Sequence, residues 1–357
     1  MAWGKWIGAR PVRGKGMAIA GLAVALMLSA CASGPITLAA LADDPDANRI
    51  RVSRLDDGLL SLPVDIGTDS PVPFVIDTGA TKSVLFENAL ERVQAHPEAE
   101  VRVHGMFGVR VTPTVTLPEV GLGSDTLEAL NVAVLPARED SDLDAGAPWG
   151  IIGMDVLERY RLFGTGKEGE LILLRADGEA PDVPAQWSRI ALRQSPFGQD
   201  AKSLRFLDVR VNGKVAPALL DTGSSIHVMS FEFADFPTVR DAKSKLRERY
   251  EIAGALEHYV PKVIVEGVDF RAGSRVWYDK TFIVKDVHAL EALGVAGRPF
   301  MIAGVDLLAD ETFFLDLATN ELRMPKVPSP YGVIVNTPAG GAIHIGSATR
   351  NRSSSPP

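Results

Sequence analysis

Between residues 49 and 326 the chain is written in short runs of Val, Ile, Leu, Phe and Thr separated by Gly, Pro and Asn turns, with few stretches at helical period. This pattern predicts a body made mainly of strands. Short helices are expected over 87–95, 156–160, 242–249 and 287–293. Asn212-Gly213 lies between the runs 204–211 and 218–224, and Asn-Gly in that setting is a strong hairpin signal.

The pattern also repeats. The run 59–65, a turn and Phe74-Val75-Ile76-Asp77-Thr78-Gly79-Ala80 parallel 204–211, a turn and Ala218-Leu219-Leu220-Asp221-Thr222-Gly223-Ser224. Further on, Pro148-Trp149-Gly150-Ile151-Ile152-Gly153-Met154-Asp155 parallels Pro299-Phe300-Met301-Ile302-Ala303-Gly304-Val305-Asp306. The aspartates are 144 positions apart and the later glycines 151, so the second copy holds seven more residues between its landmarks. A repeat this long implies duplicated lobes and not a solenoid. The lobes are expected over 49–180 and 181–326, joined through 175–189 with its Pro181 and Pro184. Trp149 and Phe300 hold equivalent places, which predicts core packing for both.

One Asp-Thr-Gly is weak evidence, because the same tripeptide suits a surface turn. Two of them, each after an apolar strand and each followed at similar distance by two apolar residues and a Gly, form a constellation. Two carboxyls held a few ångströms apart cannot both ionise, so they share a proton, and one serves as base while the other serves as acid.

These residues resemble the aspartic peptidases of the pepsin and retropepsin type, over nearly the whole of 59–324. The resemblance implies a mainly β, bilobal, pepsin-like acid protease fold: two homologous β-barrel-like lobes with few short helices. It implies that Asp77 and Asp221 meet at a pseudo-twofold axis with a water between them and act as an aspartic endopeptidase on polypeptide, without cofactor or metal. Thr78 and Thr222 then bond across to the opposite loop, Gly79 and Gly223 permit the tight turns, and Gly153 and Gly304 pack behind them. Ala80 and Ser224 complete the loops. Only Ser224 carries a hydroxyl that could donate to its carboxylate, so Asp221 is expected to be the more readily ionised member.

Residues 101–111 look like a hairpin with an apolar, glycine-rich tip, and His104, Gly105, Met106, Phe107 and Gly108 are the flap candidates. The second lobe has 250–256 in the corresponding place. Closing such a tip over peptide would exclude water; an ordinary hairpin turn is the alternative. Gly164-Thr165-Gly166-Lys167-Glu168-Gly169 has the spacing of a dinucleotide fingerprint, but it precedes a strand-like run and so predicts a turn. His227 is expected to be structural, and Asp155 and Asp306 to cap short helices.

Lys5, Arg10, Arg13 and Lys15 precede an apolar run over 17–28 and then Leu28-Ser29-Ala30-Cys31. This is the layout of a secretory signal, too short for a membrane span of about 20 residues. Leu-Ser-Ala-Cys resembles the lipobox of bacterial lipoproteins. The expectation is a signal peptide over 1–30, a lipidated Cys31, a tether over 31–48 and a flexible tail over 327–357. It places the protein lipid-anchored in a bacterial cell envelope, in the outer membrane by the residues after Cys31, facing periplasm or exterior. The chain has one cysteine, so its stability must come from packing. Loss of residues 1–30 takes the formal charge from −8 to −12, which disfavours nucleic acid as a partner. The six scattered histidines form no zinc motif. Both loops lie in one chain, so a monomeric catalytic unit is expected. A noncatalytic peptide-binding or inhibitor protein on the same fold remains open, as does a structural envelope lipoprotein.

Overall fold

Hairpins organise the body, and their turns follow from local chemistry. Strands Arg205–Val211 and Lys214–Leu220 pair antiparallel around Asn212 and Gly213, with φ of 45° and 84°. Two successive left-handed residues make the turn whose twist matches the flanking strands. In the first half the same role falls to Leu60–Val64 and Val72–Ile76, also antiparallel. The computed structural model describes residues 37–104, 109–137, 142–166, 169–195, 201–234, 252–253, 258–259, 263–285, 297–328, 333–336 and 342–345.

The two halves have the same register. Strand Val72–Ile76 runs parallel to Gly150–Ile152, with Ile76 opposite Ile152; Lys214–Leu220 runs parallel to Met301–Ala303, with Leu220 opposite Ala303. Likewise Val84–Phe86 lies between Asp125–Leu135 and Gly150–Ile152, as His227–Met229 lies between Arg275–Val284 and Met301–Ala303. Eight strands of the first half close a sheet of their own. The protein is mainly β with barrel-like sheets and a few short helices.

A second sheet passes from one half into the other. Strand Tyr160–Thr165 pairs antiparallel with Thr312–Asp316, flanked by Glu170–Arg175 and Glu321–Met324. Its residues alternate between two buried layers: Leu162, Leu171, Leu173 and Leu315 enter the main core, whereas Phe163, Ile172 and Phe314 face a separate cluster. Both faces are covered, which accounts for the unbroken apolar runs in these strands. Gly164 sits against the ring of Phe313, where a Cβ would collide; of the stretch 164–169, Gly164 and Thr165 end a strand, Gly169 N donates to Gly166 O at 2.9 Å with both glycines at positive φ, and residues 167–168 lie outside the described residues.

Four expectations change. The tether predicted over 31–48 includes the helix Leu38–Asp43, capped by Thr37, whose Leu38 and Leu41 cover Phe163, Ile172 and Phe314. Burial of two leucines in a six-residue element outweighs the loop-like composition around it. The tail predicted over 327–357 contains the paired strands Val333–Asn336 and Ala342–Ile345. The helix expected over 87–95 is confined to Glu87–Leu90, because 96–104 continues as strand, and that over 156–160 shifts to Met154–Leu157. Those expected at 242–249 and 287–293 lie outside the described residues. Among the described residues no helix is long and apolar enough to cross a membrane.

One buried ion pair fastens the shared sheet. Arg161 Nε donates to Asp316 Oδ2 at 3.0 Å, with side chains 8% and 5% exposed, and Arg161 Nη1 also donates to the carbonyls of Arg175 and Gly178. Removing one member leaves the other charged, buried and unpaired. Arg161→Ala is therefore expected to cost about 3–5 kcal/mol in urea unfolding, whereas Arg54→Ala, which breaks the exposed pair with Asp310, is expected to cost less than about 1 kcal/mol.

Candidate active site

Each apolar strand delivers its aspartate to the same place. Asp77 N donates to Ile152 O and Asp221 N to Ala303 O, both at 3.0 Å, so the parallel pairings described above continue into the two Asp-Thr-Gly turns. The turns then lock onto each other. Thr78 N donates to Thr222 Oγ1 at 3.0 Å and Thr222 N to Thr78 Oγ1 at 3.1 Å. The hydroxyls donate onward across the axis, Thr78 to Leu220 O at 2.8 Å and Thr222 to Ile76 O at 2.7 Å. Each threonine thus donates through backbone and side chain and accepts at its oxygen, and both are buried.

The glycines leave room for the opposite carboxyl. A Cβ on Gly79 would overlap Asp221, and one on Gly223 would overlap Asp77. Asp77 Oδ1 accepts from Gly79 N at 2.7 Å and Ala80 N at 3.0 Å, while Asp221 Oδ1 accepts from Gly223 N at 3.0 Å. Asp221 keeps 9% of its surface exposed and Asp77 is partly exposed. Burial raises both carboxyls above the ordinary carboxylate range. For Asp77 that shift is opposed by the N–H groups of Gly79, Ala80 and Gly223 and by the Asp221 carboxyl. Asp221 is raised well above the range, by burial first and by the neighbouring charge of Asp77 second.

The order expected from Ser224 rested on a hydroxyl donor to Asp221; that hydroxyl donates instead to Ile226 O at 2.8 Å and not to the carboxylate. Gly153 and Gly304 pack where expected: a Cβ on Gly153 would lie 2.7 Å from the Lys82 carbonyl carbon, and one on Gly304 2.6 Å from the oxygens of Ser224 and Ile226. Trp149 and Phe300 are core residues.

Behind each turn is a polar bracket that the motif did not disclose. In the first lobe Gly153 N donates to Ser83 Oγ at 3.0 Å, and Ser83 Oγ donates to Asp155 Oδ1 at 2.7 Å. Asp155 also accepts from Ser83 N, so it braces the loop and makes no side-chain cap to its helix. In the second lobe Gly304 N donates to His227 Nδ1 at 2.9 Å. Asp306 makes no cap either; it accepts from Lys280 Nζ at 2.5 Å, and its Oδ2 lies 3.9 Å from His227 Nε2. Ser83 and His227 each stand six residues beyond their aspartate, a signal present in the repeat but carried by unlike residues.

Of the flap candidates, one lies within the described residues. His104 ends strand His96–His104 and pairs with Val109 at the start of Val109–Leu122, while Gly105, Met106, Phe107 and Gly108 lie outside the described residues, as does Cys31. In the second lobe Ile252–Ala253 pairs with His258–Tyr259. Among the described residues no group of three or more His, Cys, Asp or Glu side chains is placed to hold a metal ion.

The model of the aspartyl protease family matches residues 62–156, the stretch that carries Asp77, Ser83, Gly153 and Asp155; the second lobe lies beyond it. No curated protein matches the chain.

A carboxyl with a raised folded pKa contributes stability that is present below its unfolded value of 3.8 and is lost as the pH rises through the folded value. Asp221 is such a group. Asp221→Asn is therefore expected to stabilise the protein at neutral pH by roughly 1–2 kcal/mol, with the gain shrinking toward acid. Paired urea titrations at neutral and acid pH measure the difference, and an Asn variant no more stable than the parent at neutral pH would contradict the assigned repulsion.

Proposed function

We propose that the chain is an aspartic endopeptidase that hydrolyses peptide bonds with a water held between Asp77 and Asp221. The observation that carries the reading is the reciprocal locking of two Asp-Thr-Gly turns, which brings the two carboxyls to one place. The family match over the first lobe supports the aspartyl protease reading in general terms.

In this reading the two carboxyls divide the roles. Asp77, the carboxylate, takes a proton from the water as its oxygen attacks the peptide carbonyl carbon, and Asp221 donates its proton to the carbonyl oxygen. A neutral tetrahedral diol results, with no covalent bond to the protein. Collapse returns the diol proton to Asp221 and passes the Asp77 proton to the leaving amine as the C–N bond breaks. Preorganised N–H groups on Asp77 hold its charge without rearrangement during the reaction.

In this reading the lobes 49–180 and 181–326 form one monomeric catalytic unit, an extended polypeptide lies between them, and the hairpin ending at His104, with Gly105, Met106, Phe107 and Gly108, closes over it. The lipobox-like stretch supports attachment through a lipidated Cys31 to a bacterial envelope membrane; several acyl chains on one residue hold firmly where a single chain is marginal.

A peptide library spanning acid to neutral pH, incubated with protein beginning after Cys31, tests the proposal. Cleavage is expected from the parent, and Asp77→Asn and Asp221→Asn are each expected to lower kcat by at least about 10²–10⁴. Folded protein that binds peptides and cuts none of them would instead identify a binding protein.

A further inference from the structure

His227 is more than a core histidine. Its side chain is 2% exposed and packed between the rings of Phe270 and Phe282, at 5.3 and 5.2 Å. Nδ1 accepts from Gly304 N, so the ring carries its proton on Nε2, and Nε2 has no hydrogen-bond partner. Gly304 is the residue between two ties to the Asp221 turn: Ala303 O accepts from Asp221 N at 3.0 Å, and Val305 N donates to Ser224 O at 2.7 Å. The imidazole therefore fixes the peptide that fixes the aspartate.

The first lobe solves the same problem with Ser83. Its hydroxyl accepts from Gly153 N and donates to Asp155, and the group that accepts from the glycine is a hydroxyl, not a ring nitrogen that can be protonated. An imidazole differs, because protonation at Nδ1 turns the acceptor for Gly304 N into a second donor facing it. The charged groups facing His227 are Asp306 and Lys280; the strand Ile264–Ala272 contributes Phe270 to the ring, and Arg275–Val284 contributes Phe282 and Lys280. Lys280 already neutralises Asp306, so little negative charge remains to receive an imidazolium.

We propose that His227 is a positioning residue for Asp221, and that its neutral, Nε2-protonated form is the one that supports catalysis, making the second lobe's support sensitive to protonation of the imidazole. The effect on turnover rests on the peptidase reading above. Burial pushes the imidazole down to about 4, opposed by Asp306 and reinforced by Lys280. The bracket thus stays intact over most of the acid range and fails near its lower end.

The test compares parent, His227→Asn and His227→Ala by kcat and KM against pH, with unfolding curves for each. Asn offers an amide oxygen to Gly304 N and does not titrate in this range. It is expected to stay within about tenfold of the parent kcat near pH 6, with KM little changed, and to lose part of the parent's decline below about pH 4. His227→Ala is expected to lose about tenfold or more in kcat at every pH. An acid limb for His227→Asn that superimposes on the parent's, or full kcat in His227→Ala, overturns the proposal. Ring ¹⁵N shifts of His227 in the unsubstituted protein give a reading independent of folding variants and of activity. Unprotonated Nδ1 with protonated Nε2 near pH 6, charging only near pH 4, is expected; a Nδ1–H tautomer or a charged ring near pH 6 overturns it. A parent that cleaves nothing would sink the peptidase reading and leave the ring measurement to decide whether His227 holds the Gly304 peptide.

Discussion

The reciprocal hydrogen bonds of Thr78 and Thr222 are the constraint on which the rest of the structure depends. Two carboxyls placed together repel as they ionise, and nothing in Asp77 or Asp221 themselves resists that repulsion. The resistance comes from backbone. Four buried hydrogen bonds between the turns, each worth about 0.5–1.5 kcal/mol net and more costly to leave half-made, hold the chains so close that Gly79 and Gly223 have no room for a side chain. The like-charge pair is then relieved by a proton instead of by movement.

That lock would hinge freely if the lobes met only there. The sheet formed by Tyr160–Thr165 and Thr312–Asp316 supplies a second junction, stiffened by Arg161 and Asp316 and covered by the Leu38–Asp43 helix. Each lobe enters the junction a few residues after its Gly153 or Gly304 bracket, through Met154–Leu157 in one case and Val305–Leu307 in the other. Positioning of the dyad and joining of the lobes are thus performed by neighbouring stretches of chain.

Much of this was legible in the sequence because the repeat carries register as well as motif. Offsets of 144 and 151 place Leu220 against Ala303 wherever Ile76 lies against Ile152, and the strands pair in that way. The unread part concerns side chains whose partners are set by tertiary contact. Ser224 could have turned to its aspartate or to a backbone carbonyl, and a hydroxyl bonds locally with small energetic preference; it chose Ile226 O. Asp155 and Asp306 sit in the first turns of short helices, yet a residue distant in sequence, Ser83 or Lys280, claims each. The Leu38–Asp43 helix is short enough that its stability is contributed by the sheet beneath it and not by its own sequence.

Duplication within one chain allows what two identical subunits cannot have, a dyad whose members differ by construction. Asp77 Oδ1 accepts from Gly79 N at 2.7 Å and Ala80 N at 3.0 Å, whereas Asp221 Oδ1 accepts from Gly223 N at 3.0 Å, so the two turns close on their carboxyls differently. Behind them, Ser83 braces one lobe through Asp155 while His227 braces the other beside an Asp306 already held by Lys280. In an identical pair the two carboxyls would have the same surroundings; here the backbone donors and the brackets behind them differ, so the asymmetry of the pair is present in the folded chain.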